Sequence, residues 1–521
     1  MSRVLLAVPA LLPILGGVAL LVMNHFRVRG IRGYRRLELF VEALTVFNSL
    51  IIFWLIVHKA GTGEELVLFN LYGDLKVMFC LDGLGSVFAG LIGFLWPLAV
   101  LYSFEYMRRE ERQGIFFAYY LMTYGVTVGI AFSGNLVTLY LFYELLTLVT
   151  FPLVLHPMTK AAVRASRKYL YYAIGGAAFA FIGIIFVLNF SSTGNTRFIP
   201  GGIMDLGAAQ SRQSTLLLVY VLAFAGFGVK AALFPCHGWL PDATVAPTPV
   251  TALLHAVAVV KSGAFAVMRL TYYSFGTEFL RGTWAQYTVM AAAMITIVYG
   301  STMAVKEIHW KRRLAYSTIS NLSYILLAVT MMSPLGLAAA LSHMVFHAFM
   351  KICSFFCAGA VMHQTGKTYV YELDGMARKM PATFACLTVA SISLAGIPPF
   401  AGFISKWNIA QAALGCGQAM MAAGNAGCWL PFAGVCVLLY SALMTAVYMF
   451  TVLVRAYFPR IGEGGQMSGG GEASGKTAEG RMDPNWMMLA PLFIFAAVIV
   501  FFGFNSGPIM TVLTAIGGKA G

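Results

Sequence analysis

Apolar runs long enough to span a membrane alternate with short polar segments along most of the 521-residue chain. A helix needs about 20 predominantly apolar residues to cross the hydrocarbon core of a bilayer. By this criterion the pattern predicts about 14 membrane-spanning helices and an all-α polytopic fold. The predicted bounds are 4–23, 37–57, 82–103, 115–132, 136–155, 169–190, 215–234, 250–272, 286–305, 314–332, 335–362, 381–405, 431–454 and 486–504.

The composition agrees with this pattern. Charged residues make up 11% of the chain and hydrophobic residues 59%, whereas a soluble domain carries about 25% charged residues. No segment is left over for a separate soluble catalytic domain. The formal net charge of +15 does not indicate a nucleic acid partner, because basic loops of a membrane protein first report its orientation.

Lysine and arginine outside the predicted helices are concentrated in alternate connections. The positive-inside rule places these loops in the cytoplasm, which predicts a multi-pass protein of the inner (cytoplasmic) membrane with both termini outside. Loop 457–485 is rich in glycine and serine and is predicted to be a flexible cytoplasmic linker.

Two predicted helices are interrupted by proline close to a lysine. The seventh carries Lys230 followed by Pro235, and the twelfth carries Pro398 and Pro399 followed by Lys406. Proline removes a backbone donor and breaks helices. Irregular backbone at membrane depth occurs where it is buried in protein or lines a wet cavity. Both breaks are therefore predicted to belong to an ion pathway.

The similarity of the two broken helices also predicts an internal repeat. Residues 111–272 (helices 4–8) and 286–456 (helices 9–13) would form two five-helix halves. Because five is odd, the halves would have opposite orientation, the inverted-repeat design of many transporters. Residues 1–110 would supply helices 1–3, and 486–521 would supply helix 14.

Glu144 lies deep inside an apolar helix, where a carboxylate is costly unless it is paired. One interpretation is a structural carboxylate held by a neighbouring helix. The other is an ion pair with Lys230, which would stabilise both charges when closed and release the lysine proton more readily when opened. The second interpretation makes the pair a controllable proton site.

His343, His347 and Lys351 are spaced i, i+4, i+8, which places them on one stripe of a helix. At 1.5 Å per residue the stripe extends over roughly 12 Å. Imidazoles titrate near neutral pH and can relay protons; the alternative is helix-packing histidines bonded to backbone. With no third ligand at suitable spacing, a metal site is not expected.

Three further basic residues extend this row. His255 and Lys261 are six residues apart, so an unbroken helix would point them to different sides, with Lys261 close to Lys230. Lys406 would end the row, or would reach to the interface if the twelfth helix ends near it. The eight cysteines are expected to be unpaired buried thiols. Without a phosphate loop, cysteine cluster or haem pattern, no cofactor and no redox chemistry are expected in this chain.

Four ordered segments resemble a known superfamily: FPCHGWLPDATVAPTPVTALLHA (234–256), KRRLAYSTISNLSY (311–324), SHMVFHAFMKICSF (342–355) and AGIPPFAGFISKW (395–407). They are similar to the antiporter-like membrane subunits of respiratory complex I, Mrp-type cation/proton antiporters and membrane-bound hydrogenases. The resemblance covers roughly residues 80–455.

The resemblance implies that Glu144 and Lys230 are the proton-translocating charge pair. It implies that His255 or Lys261, then His343, His347 and Lys351, form a hydrated central axis ending at Lys406. Lys261 is more similar to the Mrp and hydrogenase branches than to the distal complex I subunit.

Three functions are to be distinguished, and the resemblance implies the first two of them. The first is a proton-translocating, or sodium- and proton-translocating, subunit of a redox-driven complex, that is, the ion-translocating part of an oxidoreductase. The second is a subunit of an Mrp-type antiporter without redox chemistry, and the third, least expected, is a stand-alone solute carrier. The expected partners are other membrane subunits, including homologous antiporter-like ones, and lipid.

Overall fold

The computed structural model describes residues 3–25, 34–73, 75–110, 112–192, 196–458 and 481–520. These residues are mostly helical, and twelve helical spans among them are long and apolar enough to cross a membrane. The prediction of an all-α polytopic membrane protein is confirmed.

The first half of the chain contains α1 (Val8–His25), α2 (Tyr34–Lys59), strands β1 (Glu65–Tyr72) and β2 (Leu75–Cys80), α3 (Gly83–Met107), α4 (Gln113–Ala131), α5 (Leu136–Leu155), α6 (Lys160–Phe190), α7 (Leu206–Gln210), α8 (Gln213–Lys230) and α9 (Trp239–Asp242). The second half contains α10 (Thr248–Ala256), α11 (Val259–Met268), α12 (Thr277–Leu280), α13 (Trp284–Lys306), α14 (Trp310–Thr330), α15 (Pro334–Thr365), α16 (Met376–Lys379), α17 (Pro381–Ala395), α18 (Ala401–Ala422), α19 (Trp429–Tyr457), α20 (Trp486–Phe504) and α21 (Gly507–Ala520).

The centre of the bundle is formed by α15 and by the span that joins α10, α11 and the π-helical turns Arg269–Phe275. The most apolar stretch of each span is buried along its whole length. A helix that is enclosed on all sides contacts protein rather than lipid, so it can carry polar groups if neighbouring helices supply partners. These two spans hold five of the predicted site residues.

Two predicted helices lie outside the twelve apolar spans. Helix α14 corresponds to the predicted tenth helix, and it is less apolar because its enclosed face carries Ser317, Ser320, Asn321 and Ser323. The predicted twelfth helix is the broken pair α17 and α18. Including these two, the structure contains the fourteen segments that the sequence predicts.

Several predicted bounds are wrong. The seventh helix ends at Lys230 rather than at residue 234, and a turn leads to the short helix α9. The second part of the twelfth continues to Ala422, well beyond residue 405. Both errors have one cause: a lysine beside a proline marks a break, but does not show how far the helix extends on either side.

The predicted eighth helix, 250–272, was not expected to be broken, but α10 and α11 are separated at Val257 and Ala258. Val257 has φ −134° and ψ −57°, and the amides of both residues donate to the carbonyl of Leu253. No glycine or proline marks this break.

Two elements were missed. Strands β1 and β2 form an antiparallel hairpin, and the Asn135 side chain donates to the Lys76 carbonyl at 2.7 Å while also capping α5. The predicted helix 486–504 matches α20, but a second helix, α21, follows in the segment 486–521; it packs against α15 and contacts Gly83 at the start of α3 through Ile516. Gly517 of α21 lies directly on the Pro334 carbonyl.

Most of the predicted linker 457–485 lies outside the described residues. Of its described part, Asp483 accepts hydrogen bonds from the amides of Ala382 and Thr383 at the first turn of α17. A carboxylate at this position satisfies free amides and complements the helix dipole. The division of the chain into two inverted halves, at 111–272 and 286–456, stays a prediction.

The ends of several helices meet on one face of the bundle. The Trp310 amide donates to the Thr368 carbonyl at 3.0 Å, and the Gly375 amide donates to the Arg455 carbonyl at 3.1 Å. We call this the basic face, because it carries Arg108, Arg109, Arg112, Arg164, Arg167, Lys168, Lys306, Lys311, Arg312, Lys367, Arg378, Lys379 and Arg455.

Two adjacent glycines of α6 differ in how close they lie to α8. A Cβ atom on Gly176 would lie 2.7 Å from the Gly226 carbonyl oxygen, whereas a Cβ atom on Gly175 would have no neighbour within 4 Å. We expect Gly176→Ala to destabilise the protein by roughly 1–3 kcal/mol through overpacking. Gly175→Ala should be neutral or stabilising by up to about 1 kcal/mol.

The measurement is the thermal unfolding midpoint of both variants in the same detergent. Both replacements have the same intrinsic effect on helix formation, so Gly175→Ala is a matched control. Equal midpoints would show that α6 and α8 are not in backbone contact at Gly176.

Candidate functional site

The predicted charge pair is brought together where α8 ends. Lys230 is the last residue of α8, and its Nζ lies 3.7 Å from Oε1 of Glu144 on α5. The Lys230 side chain is 1% exposed and that of Glu144 is 29% exposed. The ammonium also donates to the Tyr143 carbonyl and lies 3.4 Å from the centre of the Tyr143 ring. Lys230 is thus held by a carboxylate, a carbonyl and an aromatic face.

The break after Lys230 is stabilised by side chains from the residues around it. Trp239 Nε1 donates to the Val229 carbonyl at 2.9 Å, and Thr296 Oγ1 accepts from the Phe234 amide at 3.0 Å. Such partners satisfy backbone groups that the helix no longer pairs before Pro235. Gly263 of α11 lies against the backbone of Lys230, since a Cβ atom there would be 2.9 Å from the Lys230 carbonyl carbon. Helix α11 is thereby fixed against the break.

Lys261 of α11 points to α15 rather than to Lys230. Its Nζ lies 2.6 Å from Nδ1 of His347 and 3.5 Å from the carbonyl oxygen of His255. The expectation that His255 and Lys261 point to different sides, with Lys261 close to Lys230, assumed a continuous helix. The break at Val257 and Ala258 turns the Lys261 ammonium back to the end of α10.

His255 does not join the row through its ring. The ring packs against Phe355 with 4.8 Å between ring centres, and neither ring nitrogen has a hydrogen-bond partner among the described residues. Its contribution to the Lys261 site is its main-chain carbonyl. The ring remains a fully buried polar group without a protein partner.

His343 and His347 are stacked on α15, with 5.5 Å between ring centres. His343 Nδ1 lies 2.9 Å from Oγ of Ser405, the residue before Lys406. The predicted stripe therefore reaches the broken helix α17–α18 through His343 and a serine. Ser405 was missed by the sequence argument, although it lies inside the segment AGIPPFAGFISKW that carries the resemblance.

Lys351 departs from the predicted order. Its Nζ donates to the Leu314 carbonyl at 3.1 Å and to Oγ of Ser317, and that hydroxyl lies 2.6 Å from the Tyr448 hydroxyl. Lys351 thus extends from the stripe to α14 and α19, and it does not lie between the histidines and Lys406. Ser317 and Tyr448 were not predicted as site residues.

Lys406 folds back over the break in the twelfth predicted helix. Its Nζ donates to the carbonyls of Leu394 and Ala395, at 2.7 and 3.1 Å, where α17 ends. Gly396 there has φ +85°, and Pro398 and Pro399 follow before α18 begins. A cation at a helix C-terminus satisfies free carbonyls and complements the dipole. Because α18 continues beyond Lys406, the side chain does not reach to the interface.

We call the following residues the buried row: Glu144, Lys230, Lys261, His347, His343, Ser405 and Lys406. Within the row, Lys261 Nζ and His347 Nδ1 are 2.6 Å apart, and the ring centres of His347 and His343 are 5.5 Å apart. Lys230 and Lys261 are connected through the packing of Gly263 and not by a hydrogen bond among the described residues.

Buried polar atoms without a hydrogen-bond partner among the described residues accompany the row. They include both ring nitrogens of His255, Nε2 of His343 and of His347, and the side-chain oxygens of Asn321, Ser323 and Tyr324. Most buried polar groups in proteins have a protein or water partner. Groups of this kind bind internal water. The arrangement can therefore hold protons on titratable groups with water between them.

Among the described residues no group of three histidine, cysteine, aspartate or glutamate side chains could hold a metal ion. The described cysteines are free thiols. Cys353 and Cys357 donate to carbonyls of α17, at 3.7 and 3.3 Å.

Comparisons with known proteins identify the family. The family model for the transmembrane region of NADH:quinone oxidoreductase and Mrp antiporter subunits matches residues 133–428, more than half of the chain. The chain is 33% identical over 438 residues to NADH-quinone oxidoreductase subunit N of Desulforudis audaxviator (strain MP104C), with 83% of each protein covered. It belongs to this family of membrane subunits.

The chain is also similar to proteins of Mrp-type antiporters and of a respiratory membrane complex. It is 28% identical over 473 residues to Na(+)/H(+) antiporter subunit A1 of Staphylococcus aureus, covering 87% of this chain but 57% of that subunit. The fold matches a chain of the membrane-bound sulfane sulfur reductase, an archaeal respiratory membrane complex, with TM-score 0.81 and 24% identity. It also matches a chain of the Mrp complex from Dietzia sp. DQ12-45-1b, with TM-score 0.79 and 19% identity. Both alignments cover 99% of this chain and 97% of the other.

Proposed function

We propose that this chain is the proton-translocating subunit, or a sodium- and proton-translocating subunit, of a multi-subunit, redox-driven membrane complex. The observation that carries ion translocation is the buried row, which connects two helix breaks through charged and imidazole groups in the centre of the bundle. The redox-driven complex is supported by the similarity to NADH-quinone oxidoreductase subunit N. Ionisable residues inside a membrane are costly, and in transporters they mark ion pathways and proton relays.

In this proposal the pair of Glu144 and Lys230 controls the first proton site. The 3.7 Å separation is longer than a direct hydrogen bond, so a small movement closes or opens the pair. When it opens, Lys230 loses its carboxylate partner and gives up its proton more readily. The proton passes through water to Lys261, then along His347 and His343 to Lys406.

We place the basic face in the cytoplasm and both termini outside, following the positive-inside rule. The partners would be other membrane subunits of the same complex, homologous antiporter-like subunits among them, together with lipid. In this proposal the chain moves ions and redox chemistry belongs to other subunits.

The alternative is a subunit of an Mrp-type cation/proton antiporter, which is driven by an ion gradient. It is favoured by the similarity to the S. aureus antiporter subunit. The chemistry of the buried row is the same in both proposals, so the composition of the complex distinguishes them.

For a redox-driven complex, we expect purification in mild detergent to retain subunits that contain iron–sulfur clusters or nickel, in a fixed ratio to this chain. The measurement is metal analysis and mass spectrometry of the intact complex from its native membrane. Co-purification with small antiporter subunits only, and no bound iron or nickel, would favour the antiporter.

Glu144→Gln tests the charge pair. The amide keeps the size of the side chain but removes the charge that stabilises protonated Lys230, so we expect proton uptake to slow by about tenfold or more, equivalent to roughly 1.4 kcal/mol. The measurement is proton uptake by vesicles that contain the assembled complex. Glu278→Gln, on the surface and outside the row, is the control.

Normal uptake by Glu144→Gln would show that the pair is not required. Loss of assembly in Glu144→Gln with normal assembly in Glu278→Gln would assign Glu144 a structural role.

Lys351→Met and Lys406→Met test the second half of the site. Methionine preserves much of the length and apolar packing, so each variant should fold. Lys406→Met removes a group of the buried row and should slow proton uptake, whereas Lys351→Met, whose ammonium points to Ser317 and away from the row, should slow it less. Lys306→Met, an exposed lysine at the end of α13, is the control.

Normal uptake in both variants would contradict the relay and leave the stripe as helix packing. A defect confined to Lys406→Met would assign Lys351 to a side branch through Ser317 and Tyr448.

A further inference from the structure

A cavity of about 750 Å³ opens on the basic face between the first turns of α6, the first turn of α14 and the segment between α9 and α10. Cavities of about 300–1,000 Å³ are typical of ligand sites. This cavity is separate from the buried row, because none of the row residues lines it.

The lining carries more positive than negative charge. It includes Arg164, Lys168, Lys311 and Arg312, against the single carboxylate of Asp242. Asp242 is bound to Lys168 at 2.7 Å, so it does not neutralise the other cations. An unbalanced set of cations at the end of spanning helices is a site for an anion.

The individual cations differ in how they are held. Arg312 Nε lies 3.4 Å from Oε2 of Glu307, and Lys311 Nζ donates to the Ala246 carbonyl at 3.1 Å. Arg164 has no carboxylate within ion-pair distance among the described residues. Arg164 and Lys311 therefore supply the charge that remains unbalanced.

A neutral donor accompanies these cations. Nδ1 of His309 is buried at the cavity and has no hydrogen-bond partner among the described residues. Burial, followed by the charge of Lys311, lowers the pKa of His309, so the ring is neutral at pH 7 and can donate a hydrogen bond without adding charge.

We infer that this cavity binds the phosphate group of an anionic ligand, either the headgroup of a membrane phospholipid or free inorganic phosphate. Arginine recognises phosphate through two parallel hydrogen bonds, and lysine contributes a point charge. The N-termini of α6 and α14 add positive dipole charge at the same place. Basic pockets between membrane helices on the cytoplasmic side bind lipid headgroups, and the proposed orientation places the basic face on that side. The inference does not depend on ion transport by the buried row.

The test uses the full-length, delipidated protein with its co-purified subunits and native mass spectrometry. The probes are phosphatidylglycerol, phosphatidylcholine and inorganic phosphate. We expect phosphatidylglycerol to be retained in preference to phosphatidylcholine, and Arg164→Gln to weaken its binding about fivefold, with a further similar loss in Arg164→Gln/Lys311→Gln. Arg167→Gln, on the same helix but not lining the cavity, should bind as the unmodified protein does.

Inorganic phosphate that binds with the same dependence on Arg164 and displaces the lipid would identify free phosphate as the ligand. Equal weakening by Arg164→Gln and Arg167→Gln would overturn the inference, because it would show attraction to the whole basic face. Equal retention of phosphatidylcholine and phosphatidylglycerol by the unmodified protein would overturn it as well. Normal assembly of the variants confirms that the cavity has not unfolded, and Arg164→Lys should recover part of the binding.

Discussion

The structure depends on main-chain carbonyl groups that receive the buried ammonium groups. Each of the four lysines donates to at least one carbonyl: Lys230 to Tyr143, Lys261 to His255, Lys351 to Leu314, and Lys406 to Leu394 and Ala395. Among the described residues, Glu144 is the one carboxylate paired with a lysine of the site. The other ammonium groups therefore depend on uncharged partners. An ammonium group away from water requires hydrogen-bonding partners, and a carbonyl provides one without a counter-charge. Lys261, Lys351 and Lys406 can therefore change protonation state without leaving a paired carboxylate behind, whereas Lys230 cannot.

This constraint explains why helix breaks and lysines occur together. The carbonyls of His255, Leu394 and Ala395 lie at or next to the C-terminal ends of α10 and α17, where the helix no longer supplies all of their partners. Close backbone packing keeps the ends in place. A Cβ atom on Gly402 would lie 1.8 Å from the Ser393 carbonyl oxygen, so the start of α18 can lie beside the end of α17 only because this residue is glycine.

Much of this arrangement could be predicted from the sequence, because hydropathy and isolated charges are local signals. The positions of the spans, the two proline breaks and the lysines in them follow from such signals. The direction of each side chain does not. Lys261 turns to His347 because α10 and α11 are separated at Val257 and Ala258, and these apolar residues give no sign of a break. The contact of His343 with Ser405 joins residues far apart in sequence, and periodicity within one helix carries no information about it. The hairpin and α21 were missed because they lie outside the apolar runs that dominate the pattern.

The position of Lys406 links the protonation of the last residue of the row to the contact between α17 and α18. Lys406 lies on α18, and its ammonium donates hydrogen bonds to the last carbonyls of α17. These bonds hold the two helices together across the break at Gly396. Hydrogen bonds from a charged donor are about twice as strong as those from a neutral one. A protonated Lys406 holds the two half-helices together more firmly than a neutral one, so its deprotonation weakens the connection between α17 and α18. With Lys406 as the terminal site of the proposed relay, the arrival of a proton there would make the pair of helices α17 and α18 stiffer, and its departure would make the pair more flexible.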